Sequence, residues 1–230
     1  MNQILDVLSE QDRRLLDPHL TAVDLEHKVT LFESGTRMDR IYFVDSGVVS
    51  LVGLLADGAT AEITTVGREG FVNVGSLLDD DLAIARHTVQ VPGTARYLSA
   101  EVVRDAADRS PAMRGLLYRY VQALIAQISQ SVVCNGVHGI EERMARWLLM
   151  THDRSDGDEL LLTQEFLAEM LGVRRPTVTL VARTFQTAGL IRYRRGRITI
   201  VDRPGLEEAA CECHGLIGEH FRRLIPELGP

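Results

Sequence analysis

Eight arginines and only three acids fall between residues 164 and 203, a local charge of +5 in a 230-residue chain whose net charge is -7. The rest of the chain is acidic. Basic and acidic residues number 12 and 18 in residues 1–135, 3 and 6 in 136–163, and 2 and 5 in 204–230. Arginine's rigid planar fork suits phosphate oxygens and the guanine edge, so this window has the chemistry of a nucleic-acid contact. A solvated, arginine-rich surface is the plainer alternative, and the single lysine, Lys28, fits it. Other candidate chemistry is weaker. Cys211-Glu212-Cys213-His214, with His220 nearby, contains metal-ligand types, but the run is too short for a zinc frame and would splay around a helix, so no metal is expected. Asp79-Asp80-Asp81 reads as a solvated turn, since a hard cation needs oxygens from several segments. Gly67-Arg68-Glu69-Gly70 lacks the Lys-Ser/Thr of a phosphate loop. No nucleophile, base or metal motif forms a catalytic set, and no enzyme activity is expected.

Two helices and a hairpin must position the arginines. Residues 164–183 fit a helix-turn-helix: Thr163 caps the first helix, Ala168 is small where the helices cross, and Gly172 sits at the tight turn. Leu167, Leu171, Val173, Val178 and Val181 form the shared core. At 100° per residue, the second helix (174–187) turns Val178, Val181, Ala182 and Phe185 inward. Pro176, Thr179, Leu180 and Arg183 lie on the other face, with Thr177 beside them and Arg174 and Arg175 at the amino end. Residues 190–201 read as a hairpin with Arg194, Arg195 and Arg197 at its tip, the wing of a winged helix-turn-helix. Such modules dock the second helix in the major groove and the wing on the backbone. The DNA-binding set is therefore Arg174, Arg175, Thr177, Thr179, Leu180, Arg183, Arg194, Arg195 and Arg197.

Upstream, residues 1–20 predict a short helix with Ser9 as a cap and Pro18 at its end. Short apolar segments at 29–32, 41–44, 48–55, 61–66, 88–91 and 95–98 alternate with turn signals at Asp45-Ser46-Gly47, Asp57-Gly58 and Pro92-Gly93, the pattern of a small β-roll. A helix over 99–108 precedes a long one that begins at Pro111 and breaks at Asn135-Gly136. Leu117, Val121, Leu124 and Ile128 recur at spacings of four and three, a heptad seam that suits a dimer or the chain's own core. Another helix spans 140–152, and a polar loop 153–159. The expected fold is α+β: a β-roll (jelly roll) with flanking helices at 1–110, a dimerisation helix at 111–135, and a winged helix-turn-helix domain at 136–230. At 45% hydrophobic residues the chain can bury a core, and no apolar run reaches membrane-span length. The absence of a secretory signal and the three scattered cysteines point to the cytoplasm.

This order of elements, with the runs EERMARWLL and LTQEFLAEMLGVRRPTV, resembles the Crp-Fnr family of bacterial transcription regulators over essentially the whole chain. The resemblance implies a homodimer along the long helix, an effector pocket between roll and helix, and a two-fold symmetric DNA site. The expected partners are double-stranded DNA, a second copy of the chain and RNA polymerase, with a small-molecule effector left open. In cAMP-binding members the phosphate cassette has Gly-Glu-Leu and then Arg-Ser; here these positions are Asn73-Val74-Gly75 and Arg86-His87. The adenine-contacting hydroxyl pair corresponds to Ile128 and Ser129. The expected pocket is thus Asn73, Val74, Arg86, His87, Ile128 and Ser129. Val74 cannot accept the ribose hydroxyl's bond, a loss of about 1 to 3 kcal/mol, which argues against cAMP. The cysteine group of the iron-sulfur branch is missing, because no cysteine precedes Cys134. The family's Ser-Arg-Glu and later Arg on the second helix correspond to Arg174-Arg175-Pro176 and Leu180, so only Arg175 keeps its type. A nucleotide-sensing module that controls a protein partner is the alternative, with the winged domain as a docking surface.

Overall fold

The computed structural model describes every residue except Asp57, Asp79 and Pro230. Two short helices open the chain, α1 (Gln3–Val7) and α2 (Glu10–Leu16), where a single one was expected. Ser9 separates them because its hydroxyl accepts the Asp12 amide and starts a new helix. Six antiparallel strands follow: β1 (Thr21–Leu25), β2 (Thr30–Phe32), β3 (Arg40–Leu54), β4 (Thr60–Val66), β5 (Phe71–Val72) and β6 (Arg86–Ser99). They pair in the order β1-β6-β3-β4, with β2 on β6 and β5 on β3.

Two expected turns are instead bulges inside long strands. Asp45-Ser46-Gly47 lies within β3 and Pro92-Gly93 within β6, where the β3–β6 register shifts three times between Val44 and Val49. A Cβ on Gly93 would stand 2.2 Å from the Ser46 carbonyl oxygen, so glycine permits the two backbones to cross closely. The bulges bend the paired strands into a roll. The Asp57-Gly58 turn involves Asp57, outside the described residues. Inside the roll, Phe32, Tyr42, Val44, Val49, Leu51, Val66 and Val89 form one core. Ile4, Leu5, Phe43, Phe71, Leu98 and Val103 form a second against the flanking helices.

Helix α3 (Ala100–Arg109) leads to α4 (Pro111–Val137), where Ser110 caps the amino end and Pro111 occupies the first turn. α4 runs through Asn135-Gly136 instead of breaking there, and His138 ends it. α5 (Ile140–His152) follows, with the Glu142 carboxylate accepting the Gly139 amide. In a three-stranded sheet of order β7-β9-β8, β7 (Glu159–Leu161) precedes α6 (Gln164–Leu171) and α7 (Arg175–Thr187) in the chain, and β8 (Ile191–Arg194) and β9 (Arg197–Ile200) follow them. β7 was not foreseen and takes the end of the expected loop. Finally α8 (Arg203–Ala209) and α9 (Cys213–Leu224) return to α4, placing Ile225 in the same core as Tyr120 and Leu117.

The winged region is fastened to the roll by polar contacts. Trp147 Nε1 donates to Glu62 Oε1 at 2.8 Å, and Arg154 donates to Glu69 at 2.8 Å and Gln127 at 3.0 Å. Glu62 is only partly buried as a residue, but its carboxylate is enclosed, also accepting the Ser50 hydroxyl at 2.8 Å. Enclosure pushes the Glu62 carboxyl up to about 7, against the pull of those hydrogen bonds and of Arg146 and Arg154.

Candidate functional site

Local chemistry builds the α6–α7 unit. Thr163 Oγ1 accepts the Phe166 amide and starts α6. Gly172 ends it in the left-handed region at φ 63°, which lets the chain turn sharply into α7. Val178, Val181, Ala182 and Phe185 are buried against Leu167, Leu171 and Trp147. This fixes the rotation of α7. Arg174, Arg175, Pro176, Thr179, Leu180 and Arg183 face outward, and Thr177 is half-buried. Leu180 is 65% exposed, an apolar side chain held in solvent on the outer face of a helix.

Polar contacts order this face. Arg175 pairs with Glu165 at 2.7 Å with both side chains well exposed, and Thr179 Oγ1 donates to Gln164 Oε1 at 2.7 Å. In the wing, Arg195 (φ 50°) and Gly196 (φ 77°) form the two-residue turn between β8 and β9, whose positive φ angles suit the twist of a tight hairpin. Arg194, Arg195 and Arg197 are exposed, and Arg197 is paired with Glu159 of β7. Among the described residues Arg174, Arg183, Arg194 and Arg195 form no ion pair, so their charge faces solvent uncompensated.

The roll encloses a cavity of about 340 Å³ lined mainly by apolar side chains, including Met38, Leu51, Val66, Phe71, Val74 and Leu124. Of the six expected pocket residues, Asn73, Val74 and His87 line it; Arg86, Ile128 and Ser129 do not. Strand alternation explains Arg86: His87 points inward, so Arg86 points outward and pairs with Glu33 at 2.9 Å. Ile128 packs on the roll core, while Ser129 is exposed and donates to the Ile125 carbonyl. The α4 residue that reaches the cavity is Leu124. Asn73 is already committed, donating to the Met38 and Arg40 carbonyls and accepting the Ser76 amide. His87 is 3% exposed, its Nδ1 has no hydrogen-bond partner among the described residues, and burial pushes it down to about 4, so it is neutral at physiological pH.

The row expected as a heptad seam faces the chain's own core. Leu117, Val121 and Leu124 are 1%, 7% and 3% exposed because they pack inside the chain's own core, and Ile128 packs on the roll. Exposed on α4 one position further along are Tyr118, Gln122, Ile125, Ser129 and Val132, also spaced four and three. Both rows are heptads; only the second faces outward.

The cysteines also differ from expectation. Cys211 lies outside α9, Cys213 begins it, and both meet Cys134 in one buried cluster, with His138 beside them. His214 instead approaches Asp153 at 2.9 Å, and His220 lies 3.5 Å from Arg223. Nothing in the 211–214 run pointed to Cys134 and His138, more than seventy positions upstream. In the acidic run, Asp81 pairs with Arg104 at 3.0 Å and Asp80 accepts the Leu82 amide; Asp79 lies outside the described residues.

A β-roll joined through a long helix to a winged helix-turn-helix with an outward, basic second helix defines a class of DNA-binding regulators. Comparison with known proteins narrows the class. The Crp-like helix-turn-helix domain model matches residues 142–209, and the cyclic nucleotide-binding domain model matches residues 22–110. The CRP-like cAMP-activated global transcriptional regulator of Mycobacterium tuberculosis is 24% identical over 202 residues, 85% of this chain and 90% of that protein. FixK2 of Bradyrhizobium japonicum has a similar fold, with a TM-score of 0.71 at 15% identity over 84% of this chain and 98% of that one. So does the c-di-GMP responsive global regulator CLP of Xanthomonas campestris, at 0.66 and 17% over 84% and 99%. The chain belongs to the Crp-Fnr family and is a DNA-binding transcription regulator of that type. No helix among the described residues is long and apolar enough to cross a membrane.

Proposed function

We propose that the regulator works as a homodimer that reads a palindromic duplex site, with α7 of each copy in a major groove and the β8–β9 wing on the phosphates. The observation that carries this reading is the set of uncompensated guanidinium groups of Arg174, Arg183, Arg194 and Arg195 around an exposed Leu180. Phosphate contacts set register, and base-edge contacts from Arg175 and Leu180 set sequence. The dimer seam is the outward row Tyr118, Ile125, Ser129 and Val132, and RNA polymerase is the further partner. Fluorescence anisotropy on random duplex tests the electrostatic part. Log affinity should fall steeply with log salt, and removing Arg194 and Arg195 together should flatten the slope by about two contacts. A salt-independent affinity would contradict it.

The same reading makes cAMP a poor effector for this chain. A cyclic phosphate in the roll cavity would meet neutral His87 and Asp80 but no cationic lining residue, because Arg86 is turned out to Glu33. Burying an uncompensated anion is costly, and losing two charge-assisted contacts of about 1.4 kcal/mol each lowers affinity about a hundredfold. The cavity suits a neutral, largely apolar molecule that would press on Leu124 of α4. Calorimetry should show no micromolar binding of cAMP. Saturable micromolar binding that raises DNA affinity would restore a cAMP switch.

A further inference from the structure

All three cysteines of the chain, free of disulfides, meet at one place, where the end of α4 touches the start of α9. We propose that Cys134, His138, Cys211 and Cys213 form a structural zinc site that fastens the carboxyl-terminal helix to the joint between α4 and α5. The four ligand atoms lie within 4.8 Å of one another. Cys134 Sγ is 3.5 Å from Cys211 Sγ, and Cys213 Sγ is 3.5 Å from His138 Nδ1. With Zn–S near 2.3 Å and Zn–N near 2.0 Å, a tetrahedral set requires ligand atoms about 3.5 to 3.8 Å apart, so the measured pairs need only small adjustments. Cys134 lies in the last turn of α4, and His138, four positions on, is the residue that ends the helix, its amide donating to the Cys134 carbonyl. Cys211 and Cys213 approach from a separate segment, so two parts of the chain supply two ligands each.

The surroundings favour this use. His138 Nε2 lies 3.3 Å from Glu212 Oε2, which places the ring proton on Nε2 and leaves the Nδ1 lone pair for the metal, as carboxylates do beside zinc-bound histidines. Gln130 Nε2 donates to Cys213 Sγ at 3.1 Å. Three thiolates and one zinc leave a net charge of -1, and Arg146 and Arg143 act on Cys134 electrostatically. The Nε atoms of both arginines are buried without a hydrogen-bond partner among the described residues. Soft sulfur ligands select zinc over calcium or magnesium. Four protein ligands close the coordination sphere and leave no open position for a substrate, so the site is structural and not catalytic.

The test is metal analysis of the full-length reduced protein, purified from zinc-supplemented medium and passed through gel filtration. About one zinc per chain is expected, and cobalt substitution should give the intense visible bands of a tetrahedral, thiolate-bound ion. Cys213→Ser and His138→Ala should lower zinc content at least about tenfold, while His214→Ala, outside the cluster, should retain it. If either ligand variant fails to fold, wild-type zinc content and the cobalt spectrum still decide. A folded, reduced wild type with less than about a tenth of a zinc per chain and no cobalt bands would overturn the site. So would a Cys134–Cys211 disulfide in protein isolated without oxygen, or an unchanged cobalt spectrum in Cys213→Ser.

Discussion

Arg175 stands at the first turn of α7, and its only ion pair among the described residues, with Glu165, is exposed on both sides. Such a pair contributes about 0 to 1 kcal/mol, little enough for DNA to displace it. Arg175→Ala should therefore cost about 1 to 3 kcal/mol in DNA affinity and relax preference at one base per half-site. Arg195→Ala, in the wing, should weaken all sequences alike; quantitative binding to a panel of single-base variants separates the two outcomes. These residues were legible in the sequence because a helix-turn-helix is local: the Thr163 cap, the Gly172 turn and the inward valines fix the rotation of α7 within twenty residues. The direction of Arg86 is not legible in the sequence, for the opposite reason. Its partner Glu33 comes from another part of the roll, and strand alternation decides its direction only once β6 has a register.

At the scale of elements, α4 shows the limit of periodicity. The roll covers one side of α4 and α9 another, where Tyr120 meets Phe221 edge-on with ring centroids 6.5 Å apart. The inward row is apolar throughout and the adjacent outward row still carries Tyr118, Ile125 and Val132, so spacing alone does not distinguish core from seam. Their mutations should differ. Ile125→Glu, with Ile125 at 56% exposure, should leave the monomer folded but block association, so light scattering should report monomers with a native far-ultraviolet spectrum. Leu124→Glu, at 3% exposure, should lose about 3 kcal/mol or more of stability by burying a charge in the roll. Equal effects of the two changes on stability would contradict the assignment. The strands pose a related problem: Gly47 and Gly93 read as turns in sequence, and only their mutual approach makes them bulges.

Across the whole molecule, enclosed polar contacts hold the winged region to the roll, and Glu62 makes that junction sensitive to pH. Its carboxyl lies at about 7 in the fold against an ordinary 4.5, so between these values the native state binds more protons than the unfolded one. Stability from this group should fall as pH rises from about 4.5 to 7 and then level off, by about 2 kcal/mol once partial exposure is discounted. His87, at about 4 against 6.5, acts in the opposite direction over much of the same window. The difference between wild type and Glu62→Gln in urea unfolding at pH 5 and pH 8 therefore isolates the effect; an equal loss in both proteins would exclude it. The central claim is that two copies of α7 read one symmetric site, and selection from random duplex tests it most directly. The recovered sequences should contain two inverted half-sites centred roughly 34 Å apart, bound by one dimer. A single asymmetric half-site bound by a monomer, or no enriched sequence at all, would contradict the account.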